Sequence, residues 1–254
     1  MSSAYQTKKI SKVSQILASI LVTSVYEMIN YPAVLINTVV SPLAVLVVIV
    51  FVSHGTLTGI AIIGGFIMSI FSNGTNLQSD LSHLKNDFKI QDMVVSSPTT
   101  WPIYLFGMAL SEIVSSLPGL IILVILAGYF LKVSAIGGFA IFGVLLLMFL
   151  ASIAIGFTLS TFSSDIVQSF AFSRLISTVF TTIPPIYYPI TYIPLPFRYI
   201  AYLSPTTYAA QIAQNAAGYV SASPANLLFD WGILIALTIA LFVIANSKSR
   251  WREI

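Results

Sequence analysis

An all-α membrane protein with six transmembrane helices is the fold class this sequence predicts, and three observations carry it. Only 7% of the 254 residues are charged and 57% are hydrophobic, with a mean hydropathy of +0.95. A water-facing shell on a chain of this size needs about a quarter of its residues charged, so most of the exterior faces lipid. Six stretches also reach the roughly 20 apolar residues with which a helix crosses about 30 Å of hydrocarbon. Finally, runs such as Leu43 to Phe51 are apolar on every side, whereas a barrel strand alternates. Helices follow, because each backbone group in lipid must be satisfied within its own segment.

Taken in order, the chain opens on an amphipathic stretch over 9–28. Ile10, Val13, Leu17, Ile20, Leu21, Val25 and Met28 share one helical face, with Lys12, Gln15, Ser19, Thr23 and Glu27 opposite. Such a helix lies in the membrane surface with its apolar face down, and residues 1–31 form that interfacial helix. The basic start lacks the compact apolar core and cleavage site of a signal peptide, so the N-terminus is expected to be retained. Tyr31-Pro32 ends the helix, since a residue before proline avoids the helical region.

The six expected spans are 32–53, 57–77, 103–131, 136–160, 169–189 and 227–246. Pro118-Gly119 falls inside the third and predicts a kink there. Gly64, Gly65, Gly137, Gly138 and Gly143 are read as close-contact positions between helices. An even number of spans places both termini on one side. Lys8, Lys9, Lys12, Lys85, Lys89, Lys248, Arg250 and Arg252 lie on that side, against Lys132 and Arg198 on the other. Basic residues stay on the cytoplasmic face, so both termini are expected there, in a multi-pass protein of the plasma membrane. Trp101, Tyr104, Trp231 and Trp251 sit near span ends, where aromatic rings favour the headgroup region.

Two further segments lie outside the spans. The loop 78–101 concentrates Asp80, His83, Lys85, Asp87, Lys89 and Asp92, with Leu81, Leu84, Phe88 and Val95 at helical spacing. It reads either as a solvated loop lying on the bilayer, which composition alone favours, or as a short helix transmitting force from a soluble partner. The stretch 184–226 holds six of the twelve prolines between Pro184 and Pro205, which excludes a continuous helix. Gln211, Gln214 and Asn215 make Thr206–Val220 a poor span. Short broken helices dipping into the outer leaflet and returning, over 190–226, fit better than an external loop so rich in Ile, Tyr and Phe.

Several chemistries are excluded. With no cysteine there is no disulfide, thiolate metal site or cysteine nucleophile. No G-x-x-x-x-G-K-[ST] loop is present, so this sequence holds no phosphate cradle of that kind. His54 and His83, the only histidines, fall on opposite sides of the expected membrane, and no H-E-x-x-H pair exists. No catalytic residue, metal ligand or nucleic-acid contact is expected. Inside the membrane, Glu112 stands about a third of the way into the third span, where a charge must face protein or water. It reads as a structural partner of Arg174, at a similar depth in the fifth span, or as a substrate or proton contact.

Two motifs carry a resemblance. The loop ends in Met93-Val94-Val95-Ser96-Ser97-Pro98, followed by Trp101-Pro102-Ile103-Tyr104-Leu105. Late in the chain come Tyr188-Pro189, Leu195-Pro196 and Ser204-Pro205-Thr206-Thr207-Tyr208. With six spans and an amphipathic start, these resemble the ABC-2 family of ABC transporter permeases over nearly the whole chain, as one membrane domain over 1–254. The glycine-threonine that family members often carry ahead of the loop motif is absent; Lys85-Asn86-Asp87-Phe88-Lys89 stands there instead.

The resemblance implies a transport subunit rather than an enzyme. It would pair with a second copy and with a separate cytoplasmic P-loop ATPase, which would bind the ATP and magnesium; this chain would bind no cofactor. The loop would supply the coupling helix, with Leu84, Asp87, Phe88, Asp92, Met93 and Val94 as its contact residues. Tyr188, Pro189, Leu195, Pro196, Pro205 and Tyr208 would form the re-entrant gate. Few charges on the path would favour an amphipathic or apolar substrate such as a drug, a lipid or a lipid-linked glycan, and the family favours export. An ion-coupled carrier, or a membrane anchor docking a cytoplasmic partner, are the alternatives from other classes.

Overall fold

The computed structural model describes residues 11–86, 101–163 and 165–248, and every ordered element in them is helical. Helix α1 (Lys12–Asn30) widens to a π-helical turn over Leu21–Val25. It stops at Tyr31, whose φ of −125° and ψ of 76° show the departure from helix that a following proline enforces. Helix α2 (Pro32–Val52) starts on that proline, whose missing N–H is an orphan at this position anyway. A turn with His54 at φ 50° and Gly55 at φ 82° then reverses the chain. The remaining long helices are α3 (Thr58–Asn86), α4 (Trp101–Phe130), α5 (Ala135–Ser160) and α6 (Ile166–Thr182). The short α7 (Leu195–Ala201) and α8 (Pro205–Ala216) precede α9 (Pro224–Lys248). Side-chain caps fix several of the starts; at α5 Ser134 Oγ accepts from Gly137 N at 3.1 Å, and at α6 Asp165 Oδ1 accepts from Gln168 N at 2.7 Å.

Helix α3 is the axis of the bundle, packed by α2, α4, α5, α6 and α8. It is 67% buried over its apolar length, against 11% for α2. Its closest neighbour is α5. A Cβ at Gly74 would overlap the Ser152 hydroxyl, and one at Gly156 would lie 3.0 Å from the Gly74 carbonyl, so the two backbones meet there with nothing between them. Of the five glycines expected at contacts, Gly64, Gly65, Gly137 and Gly143 face neighbouring atoms, while Gly138 faces open space.

Among the described residues six helices are long and apolar enough to cross a membrane, but their membership differs from expectation. Helix α1 qualifies, at 19 residues, although the sequence reads as an interfacial helix there. Its two faces are as expected but turned: Val13, Leu17 and Leu21 are exposed, and the polar side meets protein, with Ser24 buried. The helix of the expected fifth span starts and ends earlier than 169–189. At 17 residues it stops at Thr182, before Pro184 and Pro185, whose rings and missing N–H groups break the ladder. Over 78–86, where the sequence leaves a solvated loop and a short helix open, the backbone is helical. Helix α3 runs on to Asn86, because Gln78, Ser79 and Ser82 are buried against protein and do not mark an exit to water.

Candidate functional site

Helix α3 carries Ser69, Ser72, Asn73, Asn76, Ser79 and Asp80, at offsets of 3, 4, 7, 10 and 11, which is one stripe of a helix. The stripe lines a cavity of about 320 Å³. Glu27 of α1, Asn37, Thr38 and Ser41 of α2, Glu112 and Ser115 of α4, and Ser173 and Arg174 of α6 complete its walls. Five helices thus turn polar side chains toward one space within a bundle whose outside is apolar.

Hydrogen bonds hold that geometry. Ser24 Oγ donates to the Ser111 carbonyl at 2.6 Å, and Thr23 and Ser111 hydroxyls bond each other, fixing α1 along α4. Close by, Ser19 covers Gly107. On the other side, Ser72 and Ser177 hydroxyls bond at 2.6 Å and Ser173 Oγ donates to Asn76 Oδ1 at 3.1 Å, joining α3 to α6. Lower on α3, Gln78 Nε2 donates to Ser163 Oγ at 2.9 Å.

Three polar residues of the lining are deeply buried: Ser69, Ser79 and Glu112 are 3%, 2% and 4% exposed. A hydrogen bond joins the Glu112 and Asp80 carboxyl groups, and the Glu27 carboxyl acts on Glu112 as well. The other carboxyl oxygen of Glu112, Oε1, and the hydroxyls of Ser69 and Ser79 are buried with no hydrogen-bond partner among the described residues. A buried polar atom without a partner is uncommon and calls for an explanation. Val34 and Asn37 of α2 and Phe170 and Arg174 of α6 are exposed members of the lining.

A second cavity, of about 640 Å³, differs in every respect. Leu147, Leu150 and Phe157 of α5, Ile235, Ile239 and Phe242 of α9, and Leu105 of α4 make it an apolar groove.

Between α6 and α9 the proline-rich segment is tied down by side chains. Gln214 Nε2 donates to the carbonyls of Pro185 at 3.1 Å and Tyr188 at 3.4 Å. Thr206 Oγ1 donates to the Phe180 carbonyl at 2.7 Å, and Tyr208 Oη to that of Tyr202 at 2.8 Å. Carbonyls left free where the prolines break the helix, that of Phe180 among them, are thereby satisfied inside the protein. Helix α8 is buried along nearly its whole length.

The sequence-predicted residues divide accordingly. Glu112 and Arg174 share the polar cavity, yet the ionisable groups acting on Glu112 are the carboxyls of Asp80 and Glu27. Pro205 and Tyr208 are buried in α8, Tyr188 and Pro189 are half-buried ahead of it, and Leu195 and Pro196 are exposed at the start of α7. Leu84 lies near the end of α3. Asp87, Phe88, Asp92, Met93 and Val94 lie outside the described residues, as do the rest of the Met93–Pro98 motif, Trp251 and the basic residues Lys8, Lys9, Lys89, Arg250 and Arg252. What sequence reasoning missed is the cavity itself. Hydropathy alone sets Asp80 beyond the second span and Glu27 on the polar side of an interfacial helix, while the signal that finds the cavity is the 3.6-residue period of the polar stripe on α3.

A helical bundle with six helices able to cross a membrane, enclosing a polar cavity and an apolar groove, defines a polytopic membrane protein with internal sites. Residues 12–216 match the ABC-2 type transporter family, and the chain belongs to it. It is a permease subunit of an ABC-2 transporter, whose membrane domain has no ATPase domain of its own. No curated protein matches the chain significantly.

Proposed function

We propose that this chain is the membrane half of an ATP-driven exporter, acting as a pair of identical copies on separate cytoplasmic P-loop ATPase subunits that bind the ATP and magnesium. Both termini face the cytoplasm, the end of α3 and the segment that follows it couple the spans to the ATPase through Leu84, Asp87, Phe88, Asp92, Met93 and Val94, and the substrate is amphipathic or apolar. The family match over residues 12–216 carries this reading. Three observations support its finer parts. Helix α3, the most buried of the helices long enough to span, continues past Ser82 to Asn86 and leads into the coupling segment, so a push there acts on the axis of the bundle. Short helices α7 and α8, with carbonyls satisfied internally, suit a re-entrant gate. Apolar and polar cavities in one bundle suit a substrate with both characters.

Purification from native membranes under mild detergent should recover a P-loop ATPase in stoichiometric amount; recovery of the chain alone would count against the pairing. Replacing Phe88 and Met93 together by Ala should lower coupled ATP hydrolysis about tenfold, the scale of losing interface anchors. Unchanged hydrolysis and docking in that variant would remove the coupling role. The ion-coupled alternative gains one observation, since Asp80 and Glu27 join Glu112 at the cavity. Transport in vesicles driven by an ion gradient without ATP would establish it in place of the exporter.

A further inference from the structure

We propose that the apolar groove where α4 faces the α5–α9 pair holds one acyl chain of an anionic phospholipid, with the headgroup at the C-terminal end of α9 and the second chain in the bilayer. Helices α5 and α9 run parallel in one register: Gly143 faces Trp231, and Ala154 and Phe157 pack with Ala245. The groove follows them from Leu147 and Ile235 to Phe157 and Ser247. Along α9 that is about 18 Å, close to one leaflet of a hydrocarbon layer about 30 Å thick. Ala154, Phe157 and Ala245 are buried, while Ile239 and Val243 are 59% and 62% exposed, so the lining passes from the core of the bundle to the surface of α9 that lipid surrounds. Between its ends the lining side chains are apolar except Thr238, whose Oγ1 donates to the Leu234 carbonyl at 2.7 Å. Such a space offers water nothing to bond, and left empty it forfeits dispersion contacts along its length. An acyl chain fills it without burying a polar group.

The two ends of the groove fix the direction of the ligand. At Leu147 and Ile235 the lining is wholly apolar, whereas Asn246 and Ser247 at the other end are polar and exposed. Lys248, the next residue, closes α9, and the sequence continues with Arg250 and Arg252 against one acid, Glu253. Three bases outweigh that acid together with the negative charge of about one half at a helix C-terminus. A negatively charged headgroup meets this surplus, and a zwitterionic one of the same size gains less from it. Each basic residue near an anionic headgroup is worth about fivefold in binding. That the bound lipid is then moved rests on the exporter reading above; that it is held does not.

The test is native mass spectrometry of the full chain in mild detergent, supplied with phosphatidylglycerol or with phosphatidylcholine carrying the same acyl chains. One phosphatidylglycerol retained per chain is expected, about fivefold or more above phosphatidylcholine. Leu150→Trp fills the groove and should lower retention of both lipids about tenfold, the scale of two methylene groups losing their contact. Ile136→Trp adds the same bulk outside the groove, on a residue 83% exposed, and should leave retention unchanged. Replacing Lys248, Arg250 and Arg252 together by Gln should bring phosphatidylglycerol down to the level of phosphatidylcholine and leave the latter as it was. A groove without a lipid site does not separate chain-dependent from charge-dependent retention in this way. Should Leu150→Trp fail to fold, Ile239→Trp narrows the groove from its exposed side and decides in its place. No retained lipid, equal retention of the two lipids by the wild type, or unchanged retention in the folded groove variants overturns the site. A lipid-free dimer that Leu150→Trp converts to a monomer overturns it as well, and assigns the groove to a second copy of the chain.

Discussion

Helices α2 and α3 are neighbours joined by a short turn, and they invert the rule of soluble proteins. Helix α2 is the more apolar, an almost unbroken run of Val, Leu and Ile, and only 11% of its length is buried. Helix α3 carries Ser69, Ser72, Asn73, Asn76, Ser79 and Asp80 and is 67% buried. In water the partition would run the other way, because apolar surface is driven inward. Lipid removes that drive: a Val on α2 is as well placed among acyl chains as inside the bundle, while a Ser or Asn is far better placed among protein partners. Polarity, small side chains and shape complementarity therefore decide which helix is the axis.

The comparison breaks most readily at the contact of α3 with α5. Gly74→Leu places a branched side chain where the Ser152 hydroxyl and the α5 backbone already stand. Overpacking of this kind typically costs about 1–3 kcal/mol, and more where only backbone can yield. A sharp fall in monodisperse protein and in thermal unfolding midpoint is expected, and wild-type behaviour would refute the close contact. Bulk added to α2 should do nothing comparable: Val48→Phe, on a residue 58% exposed, should shift stability by less than about 0.5 kcal/mol.

Smaller effects test the polar side of the comparison. Gln78→Leu removes the bond from α3 to Ser163 and sets a larger apolar side chain among buried polar groups, so a loss of about 1–2 kcal/mol is expected in chemical unfolding. Thr206→Val keeps shape but deletes the bond to the Phe180 carbonyl, for a loss of about 1 kcal/mol. Ser24→Ala, which removes the link from α1 to Ser111, should be the mildest at about 0.6 kcal/mol, the average found for hydrogen bonds between membrane helices. A Ser24→Ala effect larger than that of Gln78→Leu would mean that α1, and not α3, carries the bundle.

Much of the architecture was legible in the residues. Tyr31-Pro32 marked a helix boundary that stands where the proline places it, and four of the six expected spans lie within a few residues of α2, α4, α5 and α9. The broken helices before the last span follow from six prolines, and the capping by Gln214 explains why a glutamine sits in so apolar a segment. The errors have one source. Hydropathy at 78–86 falls because Gln78, Ser79 and Ser82 face protein, and the same fall would be seen if they faced water. In α1, likewise, the amphipathic pattern was read correctly, but the polar side meets α4 through Ser111.

By itself, then, the sequence determined that the chain lives in a membrane, that it is helical, roughly where helices start and stop, and which motifs ally it with its family. Those properties depend on composition, period and proline, all of which are local. The tertiary structure alone decided which helix is the axis, and it alone brought Glu27, Asp80 and Glu112 from three helices to one cavity. The physical reason is that a polar side chain in an apolar helix must find a partner, and its identity depends on helix rotation and packing, which no one-dimensional pattern records.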